Sequence, residues 1–201
     1  MDKFREYALL VPVLVITIVA HELAHGYVAL WMGDTTAKTQ GRLSLNPLRH
    51  LDPLGVLSMI IFRFGWAKPV PINMYYFKRK RLGTFLVSIA GVTMNMILAI
   101  IGAFFIWVVK GEILQEFFLL LLIYNVYFAI FNSIPLPPLD GSKALASLLP
   151  GNALEYLFKY EKYIYILLIL LIVSGILPRF LSPLATKIIN GLGNFTLQLV
   201  R

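Results

Sequence analysis

The chain has 201 residues, of which 59% are hydrophobic and only 14% charged, with a formal net charge of +8. A soluble domain is nearer half apolar and a quarter charged, so this composition excludes an ordinary water-soluble enzyme and points to an integral membrane protein. Cysteine is absent, which excludes disulfides, zinc–thiolate centres and a cysteine nucleophile. The basic residues lie mostly between apolar runs, as membrane topology arranges them, and the chain is not expected to bind nucleic acid.

A bilayer core takes about 20 helical residues. The first run long enough is Tyr7–Trp31. The opening "MDKFREYALL" loosely resembles a signal peptide. However, Ile18 would stand three residues before a cut after Ala20, where a small residue is needed, so the run is expected to be the first span. Next comes Leu51–Trp66, apolar but short and carrying Pro53, Gly55 and Arg63, which suits a re-entrant or interfacial segment. It is followed by "GWAKPVPINMYYFKRKR". Pro69 and Pro71 forbid a helix interior, and the alternation Val70, Ile72, Met74 fits an extended edge strand.

Leu82–Val109 and Ile113–Ile134 are the second and third spans, and the short link between them implies a hairpin. Tyr163–Leu177 is a fourth. Leu181–Val200, with Lys187, Asn190 and Asn194 inside it, either spans or lies along the interface. The expectation is therefore a single all-α membrane domain over residues 1–201, with about five to six transmembrane helices, a re-entrant segment and a short membrane-associated β segment. Its core would occupy residues 7–150 and its C-terminal helices residues 154–200. Lys78–Arg81 places the start of the second span on the cytoplasmic side. The first and third spans then both run inward.

The first span ends in "AHELAHG". Ionisable groups in a membrane segment are expensive and usually mark function. Residues four apart share a helix face, so His21 and His25 can reach one ion, while Glu22 can address a water on it. Chance produces H-E-x-x-H in roughly 1% or fewer of random chains of this length. The pattern is a zinc-hydrolase signature, and zinc normally adds a third protein ligand. Asp140, in the proline-rich loop "NSIPLPPLDGSKAL", is the leading candidate. Irregular backbone at a membrane belongs in a protein interior or a wet cavity. Alternatively, Asp140 simply caps a helix, and Asp52 with His50, or Glu155, supplies the ligand. Glu112 and Glu116 fall at the opposite face. Asn95 and Asn132 are buried amides that either join helices or bind a substrate carbonyl or its oxyanion. His50 is expected to be structural, and Trp31, Trp66, Tyr75, Tyr76 and Phe77 to anchor the chain at the interface.

Taken together, "AHELAHG", "GRLSLNPLRHLDPLG", "GWAKPVPIN", Gly91-x-x-x-Asn95 and "NSIPLPPLDGSKAL" resemble the compact prokaryotic branch of the site-2 protease family, over roughly residues 15–150. The resemblance implies an intramembrane zinc protease that cuts transmembrane helices. One zinc ion would be held by His21, His25 and Asp140, with Glu22 as the catalytic acid/base. It also implies a location in a prokaryotic cell membrane and an active site toward the cytoplasmic half. Its partners would be the lipid bilayer and a substrate with a transmembrane segment. No PDZ or CBS sequence accompanies it. The chain departs from the family's common Gly-Pro at Gly91-Val92. Val70 and Ile72 are expected to pair with an unwound substrate. A rival reading is a zinc-binding or zinc-transporting membrane protein without enzymatic activity. Transport favours several weak sites along a path, whereas here the His and acidic groups converge on one.

Overall fold

The computed structural model describes residues 3–50, 52, 55, 68–150 and 153–200. Seven α-helices are present among them: α1 (Lys3–Met32), α2 (Thr36–Thr39), α3 (Lys80–Val108), α4 (Glu112–Asn132), α5 (Asp140–Leu148), α6 (Ala153–Val173) and α7 (Ile176–Val200). Helices α1, α3 and α4 are each long and apolar enough to cross a membrane. They form the bundle that carries the histidines.

The hairpin between α3 and α4 turns at Gly111, whose φ of +102° is a backbone state that side chains disfavour. Close contact between the two helices depends on small residues. A Cβ on Gly102 would lie 2.8 Å from the Leu122 backbone nitrogen. Ala99 and Ala103 are fully buried against Leu122, Val126 and Ile130 of α4. In lipid there is little hydrophobic drive between helices, so such close backbone packing supplies much of the association. Helix α7 closes this core through Ala185 and through Thr196, whose hydroxyl donates to the Ala103 carbonyl at 3.0 Å. Near the hairpin end of the bundle Arg5 pairs with Glu116 at 2.8 Å. The starts of α1 and α4 therefore lie together, and the two helices run parallel, as the charge pattern implied.

Three expectations are corrected or left aside. The count of five to six spans is too high for the described residues. Three helices qualify alone, and α6 with α7 make at most one more, because they meet at a 73° bend. The bend falls at Ser174-Gly175, where Gly175 has φ +72°. The β segment is not a strand: residues 68–73 form no ladder, and no strand occurs among the described residues. Two alternating prolines encode an extended chain, but a strand also needs a partner. Leu51–Trp66, read as re-entrant, lies outside the described residues apart from positions 52 and 55.

Candidate metal centre

Helix α1 presents His21 and His25 one turn apart, and both are buried. Asp140 is the first residue of α5, with Leu139 at the N-cap position, so its carboxylate is not used as a cap. Gly141 makes this possible. Its Cα lies against the Ser133 and Ile134 carbonyls, and any Cβ there would overlap them. The chain can thus fold back at the end of α4 and deliver Asp140 to α1 across 115 residues of sequence.

Asp140 Oδ2 lies 3.0 Å from His25 Nε2 and 3.2 Å from His21 Nε2. The two Nε2 atoms are 3.0 Å apart. His25 Nδ1 donates to the Val87 carbonyl at 2.6 Å, and His21 Nδ1 to Asn95 Oδ1 at 2.5 Å. With both protons on Nδ1, both Nε2 atoms carry lone pairs, and they face a carboxylate oxygen. Three acceptors converge on one point with no proton between them, an arrangement that a cation relieves. Tetrahedral zinc with bonds of about 2.0–2.1 Å has ligand–ligand edges near 3.3 Å, close to the observed triangle. Two imidazoles and a carboxylate also suit its ligand preference, so the residues present fit zinc. Among the described residues this is the only cluster of three such ligands.

The cradle comes from one face of α3, at Val87, Gly91 and Asn95. Gly91 sits directly on the histidine pair; a Cβ there would overlap His21 Cε1 and His25 Nε2 and lie 2.6 Å from His21 Nδ1. The Gly-x-x-x-Asn spacing therefore has a concrete meaning: the glycine admits the imidazoles and the asparagine orients one of them.

Neither a family model nor a solved structure matches the chain. Two curated proteins do. It is 42% identical over 92% of its length to "Putative zinc metalloprotease YwhC" of Bacillus subtilis, covering 91% of that protein. It is 27% identical over 82% of its length to "Putative zinc metalloprotease Rip2" of Mycolicibacterium smegmatis, covering 66% of that protein. The chain belongs to the site-2 protease family. Its membership and its apolar helices make it an integral membrane protein, and its relatives' names support a zinc metalloprotease.

Several predicted site residues of this family member have partners that the sequence did not reveal. Asn95, a candidate oxyanion contact, has its amide oxygen on His21 and its amide nitrogen on Asn125 Oδ1 at 2.8 Å. Each group thus has a partner within the protein, and the residue is fully buried. Asn132 donates to the Phe128 carbonyl of its own helix at 3.1 Å. Val70 was expected to offer its N–H to a substrate. It is buried, and that N–H donates to Glu22 Oε2 at 2.7 Å. Ile72 packs half-buried beside Ala29, Phe77 and Val87.

The other acids proposed as third ligands are elsewhere. The Asp52 carboxylate accepts the Gly55 N–H at 3.0 Å, and Glu155 is exposed. His50 is fully buried and donates from Nε2 to the Ser44 carbonyl at 2.7 Å.

Residues 68–73 are fastened to α1 and the loop that follows it. The Arg42 guanidinium donates to the Lys68 and Pro69 carbonyls at 2.8 and 3.1 Å. The buried Asp34 carboxylate accepts the Asn73 N–H at 2.6 Å, and Thr36 holds its other oxygen. Gly26, one turn after Glu22, leaves room for Val70, since a Cβ there would lie 3.1 Å from Val70 Cγ1. Arg42 stands in the "GRLSLNPLRH" motif, but neither its partner nor the Glu22–Val70 bond has a sequence signal, because both depend on how distant segments pack.

Proposed function

We propose that the protein is an intramembrane zinc endopeptidase that hydrolyses peptide bonds in or near the transmembrane segments of other membrane proteins. The observation that carries this reading is the convergence of His21, His25 and Asp140 lone pairs beside Glu22. His21, His25 and Asp140 hold one zinc ion, which when bound supplies Lewis acidity to a water and to the scissile carbonyl. Glu22 takes the proton from the attacking water and returns one to the leaving amine. The Val70 N–H keeps the Glu22 carboxylate oriented for that transfer. Asn132 and the main chain at Ile72 contact the substrate, which must be locally unwound because a helical peptide bond is shielded by its own hydrogen bonds. The single ligand cluster favours catalysis over transport, which would spread such groups along a path.

The basic run Lys78–Arg81 supports an orientation with the catalytic centre toward the cytoplasmic half of a prokaryotic inner membrane.

The test is incubation of purified protein with a panel of membrane-spanning peptides, with and without chelator, read by mass spectrometry. The proposal expects chelator-sensitive cleavage that Glu22→Gln abolishes while zinc is retained. Zinc-dependent hydrolysis that survives Glu22→Gln would remove Glu22 from the mechanism. A protein that moves zinc across vesicles and cuts no peptide would favour the transporter.

A further inference from the structure

Three polar side chains, one each from α1, α3 and α4, are completely buried in the bundle: Thr17, Asn95 and Asn125. Polar groups at membrane depth are costly unless paired. These three form an unbroken chain. Asn125 Nδ2 donates to Thr17 Oγ1 at 2.8 Å and to the Leu121 carbonyl at 2.9 Å. Asn95 Nδ2 donates to Asn125 Oδ1 at 2.8 Å. Asn95 Oδ1 accepts from His21 Nδ1.

The chain has only one consistent direction. A backbone carbonyl accepts and never donates, so the Leu121 carbonyl fixes which end of the Asn125 amide carries nitrogen. The Asn125 oxygen must then face α3, which forces Asn95 to present nitrogen to it and oxygen to His21. An oxygen facing His21 Nδ1 requires the proton there, so the neutral ring leaves Nε2 as a lone pair aimed at Asp140 and His25. Were either amide turned round, His21 would carry its proton on Nε2, in the middle of the ligand triangle, and could not ligate through that atom.

We infer that Asn125, seated by Thr17 and the Leu121 carbonyl, is a positioning residue that sets the His21 tautomer and so prepares the metal site from two residues away. Neither Thr17 nor Asn125 belongs to the ligand cluster. The inference rests on the zinc reading of the site but not on the identity of any substrate.

The experiment uses the full chain in detergent micelles, with two readouts. Zinc affinity is measured by competition with a chromophoric chelator, and the His21 ring-nitrogen protonation of the metal-free protein by 15N NMR. Wild type should show His21 with Nδ1 protonated. Asn125→Leu, of similar volume and without polar atoms, should weaken zinc binding by about 10- to 100-fold, the usual effect of removing outer hydrogen bonds to a ligand. Its His21 should become a mixture of tautomers. Thr17→Val should do the same to a smaller degree, and Thr17→Ser should restore both readouts. This Thr17 pair decides the matter if Asn125→Leu does not fold. Helix–helix adhesion alone would lower the unfolding temperature with zinc affinity and tautomer unchanged, and that result would overturn the inference. A wild type that binds no zinc would sink the metal reading, while the tautomer comparison would still decide the relay.

Discussion

Replacing Gly91 by alanine tests the site through its most crowded contact. In an ordinary helix interior this change stabilises by about 0.5–1 kcal/mol, because glycine carries the larger backbone entropy. At position 91 the added methyl lies 2.6 Å from His21 Nδ1, against a floor of about 3.0 Å for real contacts, and it overlaps His21 Cε1 and His25 Nε2. The His21 ring must retreat by at least about 0.4 Å, twice the ±0.2 Å within which metal–ligand distances normally fall. Overpacking of this kind costs about 1–3 kcal/mol. Partly offset by the helix gain, it should leave the metal-free protein at most about 2.5 kcal/mol less stable. Zinc binding has no such offset. With one imidazole displaced, the affinity should fall by about 100-fold or more, near 3 kcal/mol. Chelator competition and thermal unfolding of the same samples separate the two effects. Gly191→Ala on α7 is the control, since nothing lies within 4 Å of its new methyl. It should leave zinc affinity unchanged. A folded Gly91→Ala protein that binds zinc within about threefold of wild type would refute the packing of α3 on the histidine pair.

Asp140→Ala should abolish stoichiometric zinc, whereas Asp52→Ala should not, and metal analysis of the purified variants checks both. Val70→Pro removes the N–H that Glu22 accepts, and Arg42→Ala frees the carbonyls beside it; each should keep zinc and lose at least about tenfold in peptide cleavage. Unchanged cleavage in both would show that residues 68–73 do not orient Glu22. Because the chain lacks cysteine, single cysteines report topology directly. Lys80→Cys should label from the cytoplasmic side and Gly111→Cys from the other, and the opposite pattern would invert the proposed orientation.

The parts of the site that were legible in the sequence are those that depend on local geometry. His21 and His25 fall on one face through helix period alone. Asp140 stood out because prolines and a glycine at a membrane boundary need a reason to be there. The hairpin of α3 and α4 followed from two long apolar runs with almost nothing between them. What stayed hidden depends on register between distant segments. Asn95 could be singled out as a buried amide, but nothing in its own neighbourhood says that it meets His21 and Asn125. Asn125 and Thr17 carried the same signal of polarity inside a span, and the same rule applied to them would have marked both. The alternation at Val70 and Ile72 suits an edge strand, but residues 68–73 form none. Its Val70 N–H was assigned to a substrate because Glu22, 48 residues earlier, is its partner only after folding. The break between α6 and α7 rests on one glycine at positive φ, which hydropathy does not register.

The distance in sequence between the ligands also has a consequence for biosynthesis. His21 and His25 emerge from the ribosome early, and Asp140 follows 115 residues after His25. Between them α3 must insert, bringing Val87, Gly91 and Asn95 onto the histidines, and α4 must follow it. A partly made chain holds the two imidazoles and Glu22 but lacks the third ligand, and before α3 is in place nothing fixes either ring. On the proposed function, the chemistry switches on only once α3 and Asp140 are in place, so a nascent chain that lacks them is expected to cut neither its neighbours nor itself.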